Sequence, residues 1–176
     1  MPSASTQQHR AASHDQPVAC AVLTVSDTRT PETDEGGPLI RRHLQGAGHT
    51  IIAHAICRDE PEQIARQLDE WIDDARIQVI LTTGGTGIAR RDTTIEIVAG
   101  RLTHPLHGFG ELFRMLSYEQ VGAAAMLSRA VAGLVARGAG RDTFLFAMPG
   151  STNAIETAMK NLIVPELSHL VWERKK

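Results

Sequence analysis

The sequence contains only two cysteines, Cys20 and Cys57, and they do not form a CxxC pair. Both fall inside apolar, strand-like runs, which favours reduced core thiols over a disulfide, a zinc site or a nucleophile. No apolar stretch approaches the roughly 20 residues that a helix needs to cross a bilayer, and the N-terminus lacks the basic-then-apolar pattern of a signal peptide. We therefore predict a cytoplasmic protein with no membrane partner.

The chain also lacks an excess of charge of either sign. Its 18 Lys and Arg residues are balanced by 20 Asp and Glu, for a net charge of −2, and no basic run precedes residues 174–176. A nucleic-acid partner is therefore not favoured. The length of 176 residues fits one domain with a proper core. We predict a disordered tail over residues 1–16, where almost nothing can be buried, and a single domain over residues 17–176.

Four common functional motifs are missing from the sequence. It has no GxxxxGK[ST] loop, no GxGxxG turn, no HExxH and no GxSxG. The commonest nucleotide-binding, metalloprotease and serine-hydrolase sites are thereby excluded. The eight histidines are scattered and do not form a set of metal ligands.

Apolar runs and helical periodicity alternate along the first half of the chain. Residues 18–25, 50–57 and 77–83 are apolar or β-branched and predict buried strands, while residues 39–47 and 61–75 have the apolar spacing of helices. This strand–helix repeat is the signature of right-handed βαβ crossovers. It predicts an α/β fold with a doubly wound, mostly parallel sheet.

The second half predicts further helices and one more strand. Thr93 and Glu96 have the spacing of a capping box at the start of a short helix. A helical region from Phe109 leads into the alanine-rich segment 123–136, whose small residues suit close helix packing. A strand over 142–148 and a final helix, kinked or restarted at Pro165, complete the domain.

The stretch from Ile77 to Asp92 combines a strand with an open, glycine-rich turn. After the strand come Gly84, Gly85, Thr86 and Gly87, followed by Arg90, Arg91 and Asp92. Glycine lets backbone N–H groups converge on an anion such as phosphate, arginines can pair with its oxygens, and a carboxylate can hold a metal ion. A tight strand-to-helix turn with solvated charges is the alternative interpretation.

Polar or glycine-rich clusters follow four of the predicted strands. They are Ser26 with Asp27, Asp59, the Gly84–Gly87 turn with Asp92, and Pro149 with Gly150, Ser151 and Asn153. Because ligands of open α/β sheets bind at the carboxyl ends of the strands, we expect these clusters to meet around one hollow. Each cluster also has a local explanation, as a turn former or a helix N-cap.

Carboxylates beside a phosphate require a cation between them, and Mg²⁺ is the usual one. The residues therefore indicate magnesium-dependent phosphoryl or nucleotidyl chemistry.

Seven motifs, in order along residues 18–169, carry a specific resemblance. They are VSD at 25–27, Asp34 with Gly36-Gly37, LTTGGTG at 81–87, RRD at 90–92, GFGELFR at 108–114, SRA at 128–130 and PGS at 149–151. The chain resembles the MoaB/MogA family of molybdenum cofactor biosynthesis proteins, and within it the MoaB branch. The resemblance implies a three-layer α/β/α sandwich, a homotrimer or homohexamer, and adenylylation of the terminal phosphate of molybdopterin with Mg-ATP.

The resemblance also implies roles for individual residues. The turn at Gly84–Gly87 and the loop Pro149–Ser151 would cradle the pterin phosphate and the neighbouring nucleotide. Asp59 and Asp92 would be the essential carboxylates and hold Mg²⁺, while Ser26, Asp27 and Asp34 would line the nucleotide side. Two positions depart from the family pattern, since His107 and Thr152 stand where prolines are expected.

Two other functions stay open on the same motifs. A non-catalytic molybdopterin-binding or carrier protein would keep the pocket without turnover. An oligomeric scaffold would use the alanine-rich segment and residues 109–115 as contacts. Whichever function applies, transient contact with other cofactor-biosynthesis enzymes is expected.

Overall fold

A mixed sheet forms the centre of the protein. The structure is a computed structural model, and it describes residues 16–138 and 141–175. In those residues the sheet has six strands: β1 (Ala19–Val25), β2 (Thr50–Cys57), β3 (Val79–Thr83), β4 (His104–Pro105), β5 (Val131–Val135) and β6 (Thr143–Met148). Their order is β2-β1-β3-β6-β5-β4. β2, β1, β3 and β6 are parallel, while β5 is antiparallel to both β6 and β4.

Helices cover both faces of this sheet. They are α1 (Gly36–Gly46), α2 (Pro61–Asp73), α3 (Thr94–Ala99), α4 (His107–Val121), α5 (Thr152–Ala158) and α6 (Val164–Lys175), with a 3₁₀ segment at Gly122–Leu127 and a π-helical segment at Met159–Ile163. One buried cluster joins α1, α4, α5 and α6 to one face, and a second joins α2 and α3 to the other. The predicted three-layer α/β/α fold is confirmed.

The central strands read as continuous apolar runs because both of their faces are covered. In β1, Cys20 and Val22 belong to one core cluster, whereas Ala21 and Leu23 belong to the other. This alternation is the period of two that a strand imposes. Each fully buried aliphatic side chain such as Leu23 contributes about 1.5–3 kcal/mol of transfer free energy.

The segment 123–136 was predicted to be helical, and that prediction is wrong. A short 3₁₀ segment ends at Leu127, and residues 131–135 form β5 between β6 and β4. Gly133 lies so close to β4 that a Cβ there would be 2.7 Å from the carbonyl oxygen of His104. Strand pairing on both sides therefore outweighs the helix propensity of the alanines.

The capping box predicted at Thr93 and Glu96 does not form. The N-cap of α2 is Glu60 rather than Asp59, and neither it nor Thr93 at α3 makes a side-chain cap hydrogen bond. Ser151 does cap α5, because its Oγ accepts a hydrogen bond from the N–H of Ala154 at 3.2 Å. The predicted restart at Pro165 follows the π-helical segment, with the proline in the first turn of α6.

Both cysteines lie within the described residues and are free thiols, as predicted. Burial raises the pKa of Cys20 to about 12, and burial together with the charge of Asp59 raises that of Cys57 to about 11. Of the predicted tail, only Gln16 is described, and its carbonyl accepts a hydrogen bond from Ser168; residues 1–15 lie outside the described residues. None of the described helices has the length and apolar character needed to cross a membrane.

Candidate functional site

A cavity of about 570 Å³ opens at the carboxyl ends of β1, β3 and β6. Nine of the predicted site residues line it: Ser26, Asp34, Gly84, Gly85, Thr86, Gly87, Asp92, Gly150 and Ser151. The expected convergence of strand-end clusters therefore occurs at this edge, as the parallel pairing of the three strands requires.

The turn after β3 can be built only from glycine at its first two positions. Gly84 and Gly85 have φ of +93° and +60°, a region that other residues rarely adopt. A Cβ on Gly84 would collide with the carbonyl oxygen of Val25, and one on Gly85 would collide with Thr94 Oγ1. The turn therefore lies tightly between the end of β1 and the start of α3.

The loop after β6 packs directly on this turn. A Cβ on Gly150 would be 3.3 Å from Gly84 Cα, so the two loops touch backbone to backbone. Thr83 Oγ1 donates a hydrogen bond to the carbonyl of Pro149 at 3.1 Å, and the N–H of Gly84 donates to that of Met148. The two predicted phosphate-binding segments thus form one continuous wall.

Three carboxylates, those of Asp27, Asp59 and Asp92, lie close together at the margin of the cavity. The N–H of Asp59 donates to Asp27 Oδ1 at 3.1 Å, and a Cβ on Gly85 would be 2.9 Å from Asp59 Oδ1. Asp92 lines the cavity and accepts a hydrogen bond from the N–H of Ala89 at 3.0 Å. Asp59 therefore lies beside the glycine turn, with Asp27 next to it, and neither residue lines the cavity.

The electrostatics of this cluster favour a cation. Burial raises the pKa of Asp59, and the negative charges of Asp92 and then Asp27 raise it further, while Arg91 opposes them. Asp59 Oδ1 is buried and has no hydrogen-bond partner among the described residues. Such an oxygen is costly unless something positive or protonated reaches it.

Among the described residues, protein side chains alone do not form a complete metal site. The described part of the chain has no group of three or more His, Cys, Asp or Glu residues arranged to hold a metal ion. Mg²⁺ commonly takes only one or two carboxylates and completes its shell with phosphate oxygens and water. The carboxylates of Asp59 and Asp92 fit that donor set.

Asp34 borders the cavity, but its oxygens are already engaged. It is only 7% exposed, and it accepts hydrogen bonds from the N–H groups of Gly36 and Gly37 and from Thr24 Oγ1 at 2.9–3.1 Å. His54 Nε2 lies 3.5 Å from Asp34 Oδ2. Asp34 therefore fixes the start of α1 beside the cavity.

Six predicted site residues do not line the cavity: Asp27, Asp59, Arg90, Arg91, Pro149 and Asn153. Arg91 forms an ion pair with Asp27, and Arg90 is exposed. Asn153 donates from Nδ2 to Gln120 Oε1 at 2.6 Å, and so it ties α5 to α4. Thr152, and not Asn153, lies in the cavity wall at this point.

Sequence reasoning missed two arginines of this region. Arg29 lines the cavity; Ser26 Oγ accepts hydrogen bonds from the N–H groups of Thr28 and Arg29, which turns the chain after β1. The serine directly after a strand is the local signal for that turn. Arg129 contacts the glycine turn from a position about 40 residues away; the SRA motif at 128–130 includes this residue but does not indicate the contact.

A second cavity, of about 350 Å³, lies at the opposite end of β3 and β6. Its lining contains three aspartates and three arginines. Arg137 pairs with Asp73, and Arg174 pairs with Asp142 at 2.5 Å. It contains none of the predicted site residues.

Comparison with known proteins agrees with the geometry. Residues 21–169 match the family model described as "Probable molybdopterin binding domain". Molybdenum cofactor biosynthesis protein B of Staphylococcus carnosus is 51% identical over 165 residues, which cover 92% of this chain and 94% of that protein. The protein of the same name from Bacillus subtilis is 46% identical over 173 residues, 98% of each chain.

Two solved structures share the fold over nearly the whole chain. A crystal structure of a molybdenum cofactor biosynthesis protein B has a TM-score of 0.85 and 43% identity, covering 91% of this chain and 97% of that one. The tungsten cofactor synthesizing protein MoaB from Pyrococcus furiosus has a TM-score of 0.83 and 36% identity, covering 92% and 99%. The chain therefore belongs to the molybdopterin-binding domain family of MoaB and MogA proteins, and its role is in molybdenum cofactor biosynthesis.

Proposed function

We propose that the protein adenylylates molybdopterin with Mg-ATP. In this reaction a terminal phosphate oxygen of molybdopterin attacks the α-phosphorus of ATP. A new P–O–P bond forms, the bond to the β-phosphate breaks, and pyrophosphate leaves. The observation that carries the proposal is the continuous wall of two glycine-containing loops with a cluster of carboxylates directly behind it.

The wall supplies donors for phosphate oxygens. Small residues at 84–87 bring the backbone close to a ligand without side chains in the way. Ser151 Oγ uses its lone pair to accept from Ala154, so its own O–H is free to donate to a phosphate oxygen. These groups would hold the attacking phosphate and the triphosphate side by side, which is the main contribution of a protein to phosphoryl-group transfer.

Asp59 and Asp92 would hold Mg²⁺ with the phosphates of ATP. When bound, the ion supplies positive charge to the departing pyrophosphate. Two carboxylates close together repel each other, and a shared cation would remove both that repulsion and the unpartnered state of Asp59 Oδ1. Because molybdopterin phosphate is already largely ionised at neutral pH, the aspartates need not accept a proton.

The test is incubation of the protein with molybdopterin, ATP and Mg²⁺. We expect stoichiometric release of pyrophosphate and formation of adenylylated pterin, with no product when Mg²⁺ is chelated. Saturable molybdopterin binding without pyrophosphate would contradict the proposal and identify a non-catalytic binding or carrier protein. A chain that binds neither substrate would contradict both functions.

We also propose that the protein is a homotrimer or homohexamer. Four apolar side chains of α4 and two of the following 3₁₀ segment are 47–79% exposed; they are Leu112, Met115, Tyr118, Val121, Met126 and Leu127. An apolar stripe of this kind on a surface helix marks a protein contact. The stripe is on a different side of α4 from Phe109 and Phe113, which are in the core. A cytoplasmic location stays a prediction.

A further inference from the structure

We infer that Arg129 is a positioning residue that holds the glycine turn in the shape that receives phosphate. The inference rests on the proposed function for its effect on turnover. Arg129 follows the 3₁₀ segment and precedes β5. Its guanidinium group reaches from there to the underside of the turn between β3 and α3.

The guanidinium group of Arg129 binds three backbone carbonyls of one loop. Nε donates to the carbonyl of Thr86 at 2.9 Å, and Nη2 donates to those of Gly87 and, at 3.1 Å, Asp92. Nη1 pairs with the carboxylate of Glu96 at the first turn of α3. The planar fork of arginine can reach several acceptors at once, and no other side chain has that geometry.

These contacts fix the direction of the peptide groups in the turn. A trans peptide is planar, with its N–H opposite its carbonyl, and no peptide bond of the described residues is cis. When Arg129 holds the carbonyl of Thr86, the N–H of Gly87 therefore points away from Arg129. The same constraint applies at the next peptide, where the carbonyl of Gly87 is held.

Two consequences for phosphate follow from this orientation. Carbonyl oxygens that are bound to Arg129 cannot turn toward the cavity, where they would repel an anion. The hydrogen bond to the carbonyl of Asp92 also fixes the backbone of a proposed magnesium ligand. Arg129 thus acts through the loop, and glycine needs such support because its backbone is the most flexible.

Arg101 offers a matched control elsewhere in the chain. It donates to the carbonyls of Ile97 and Ala65 at 2.9 and 3.3 Å and pairs with the carboxylate of Asp69. The side chains of Arg129 and Arg101 are 27% and 21% exposed, respectively. Arg101 joins α2 to α3 and does not line the cavity. Truncation of either arginine should therefore have a similar effect on thermal stability.

The experiment compares Arg129→Ala, Arg129→Lys and Arg101→Ala with the wild-type protein. Pyrophosphate release gives kcat and KM, hydrogen–deuterium exchange gives amide protection of residues 84–92, and thermal melting gives stability. We expect kcat of Arg129→Ala to fall at least about tenfold, a change of about 1.4 kcal/mol in activation free energy. Exchange across residues 84–92 should accelerate only in the two Arg129 variants.

The conservative variant and a chemical rescue separate positioning from stability. Arg129→Lys keeps the charge but loses the fork, so we expect kcat between those of the wild type and Arg129→Ala. Added guanidinium ion at low, non-denaturing concentration should partly restore Arg129→Ala and have no effect on Arg101→Ala. If Arg129→Ala does not fold, Arg129→Lys alone decides between the outcomes.

The inference is overturned if Arg129 and Arg101 variants have equal kcat and equal exchange at residues 84–92. Failure of this inference is distinguishable from failure of the proposed function. A wild-type protein that releases no pyrophosphate would contradict adenylylation. Faster exchange at 84–92, together with weaker binding of Mg-ATP alone in the Arg129 variants, would still support the positioning role.

Discussion

The two ends of the sheet carry cavities that differ in how their charges are paired. At the amino ends of β3 and β6, Arg137 and Arg174 each face an aspartate, and the cavity is electrically balanced. At the carboxyl ends, three carboxylates cluster around Arg91, and one buried oxygen has no hydrogen-bond partner among the described residues. Unpartnered buried polar groups and perturbed carboxylates are typical of functional sites, so the difference favours the cavity at the carboxyl ends as the candidate site.

The largest expected effect comes from neutralising one carboxylate at each end. Asp92→Asn should keep the fold and lower kcat by about 10²–10³-fold, as loss of one preorganised electrostatic group does. Asp142→Asn, at the opposite cavity, should weaken the Arg174 contact and leave kcat unchanged. The measurement is pyrophosphate release, with circular dichroism as the check on folding. Normal turnover by Asp92→Asn would refute its assignment as a metal ligand.

The next effect concerns glycines with the same backbone conformation in different surroundings. Gly48 has φ of +84° with no neighbouring atom near its Cβ position, whereas Gly84 has φ of +93° and lies against Val25. Gly48→Ala should cost about 1–2 kcal/mol from conformation alone. Gly84→Ala adds a collision, typically worth about 1–3 kcal/mol.

Urea unfolding of the two variants measures this difference. Equal losses of unfolding free energy would show that the contact between the glycine turn and β1 is loose. A larger loss for Gly84→Ala, accompanied by weaker Mg-ATP binding, would show that the tight contact shapes the cavity.

The exposed stripe on α4 predicts a change in assembly rather than in folding. Met115→Glu places a charge in the middle of the stripe and should lower the fraction of protein in the oligomer. The unfolding free energy of the subunit should change by no more than about 0.5 kcal/mol. Arg66→Glu on α2, an exposed helical site outside the stripe, is the control. Sedimentation equilibrium measures the mass. A wild-type monomer, or a Met115→Glu variant of unchanged mass, would count against the proposed assembly.

The smallest expected effect is a pH dependence that originates behind the cavity. Burial first, and then the positive charge of Arg41, lower the pKa of His54, while Asp34 acts in the opposite direction. The unfolded chain therefore binds this proton more readily than the folded protein. The stability that neutral His54 contributes is fully present above the pKa of about 6.5 that His has in the unfolded chain. It is lost as the pH falls from that value toward the lowered pKa of the folded protein.

Denaturant midpoints between about pH 7.5 and about pH 5.5 test this sign. The wild type should lose stability on acidification, and His54→Gln should lose less. Part of the dependence should persist because burial also lowers the pKa of His49. The exposed His107→Gln is the control. An equal acid response in His54→Gln and His107→Gln would assign the effect to other groups.

Strands were predictable from the sequence wherever both of their faces are buried. β1 and β3 are covered by helices on both sides, so their burial leaves a continuous apolar run in the sequence. β5 was not predictable in the same way. Ala132 and Gly133 have small side chains that give no strand-like pattern, and the segment is a strand because it pairs with β6. Local composition there favours a helix, and distant partners decide otherwise.

The meeting of the candidate site's loops at one edge of the sheet was predictable, but their supporting contacts were not. Glycines and aspartates directly after strands indicated the edge where they meet, because strand direction alone determines it. Asn153 binds the side chain of Gln120 and Arg129 binds the backbone carbonyl of Thr86, and both partners are 33 or more residues away. The spacing of residues along the chain does not indicate such contacts. Asp34 illustrates both cases, since its place beside the cavity was expected and its bonds to α1 were not.

The wall of the cavity joins segments that are far apart in the chain. Thr83 and Pro149 are separated by 66 residues, and the turn after β3 gains its second side only when β6 has paired with it. Contacts of such long range form slowly, because the loop between them must be closed first. A nascent chain that has emerged only as far as α4 would therefore carry the glycine turn without a pocket, and ligand binding would report completion of the sheet.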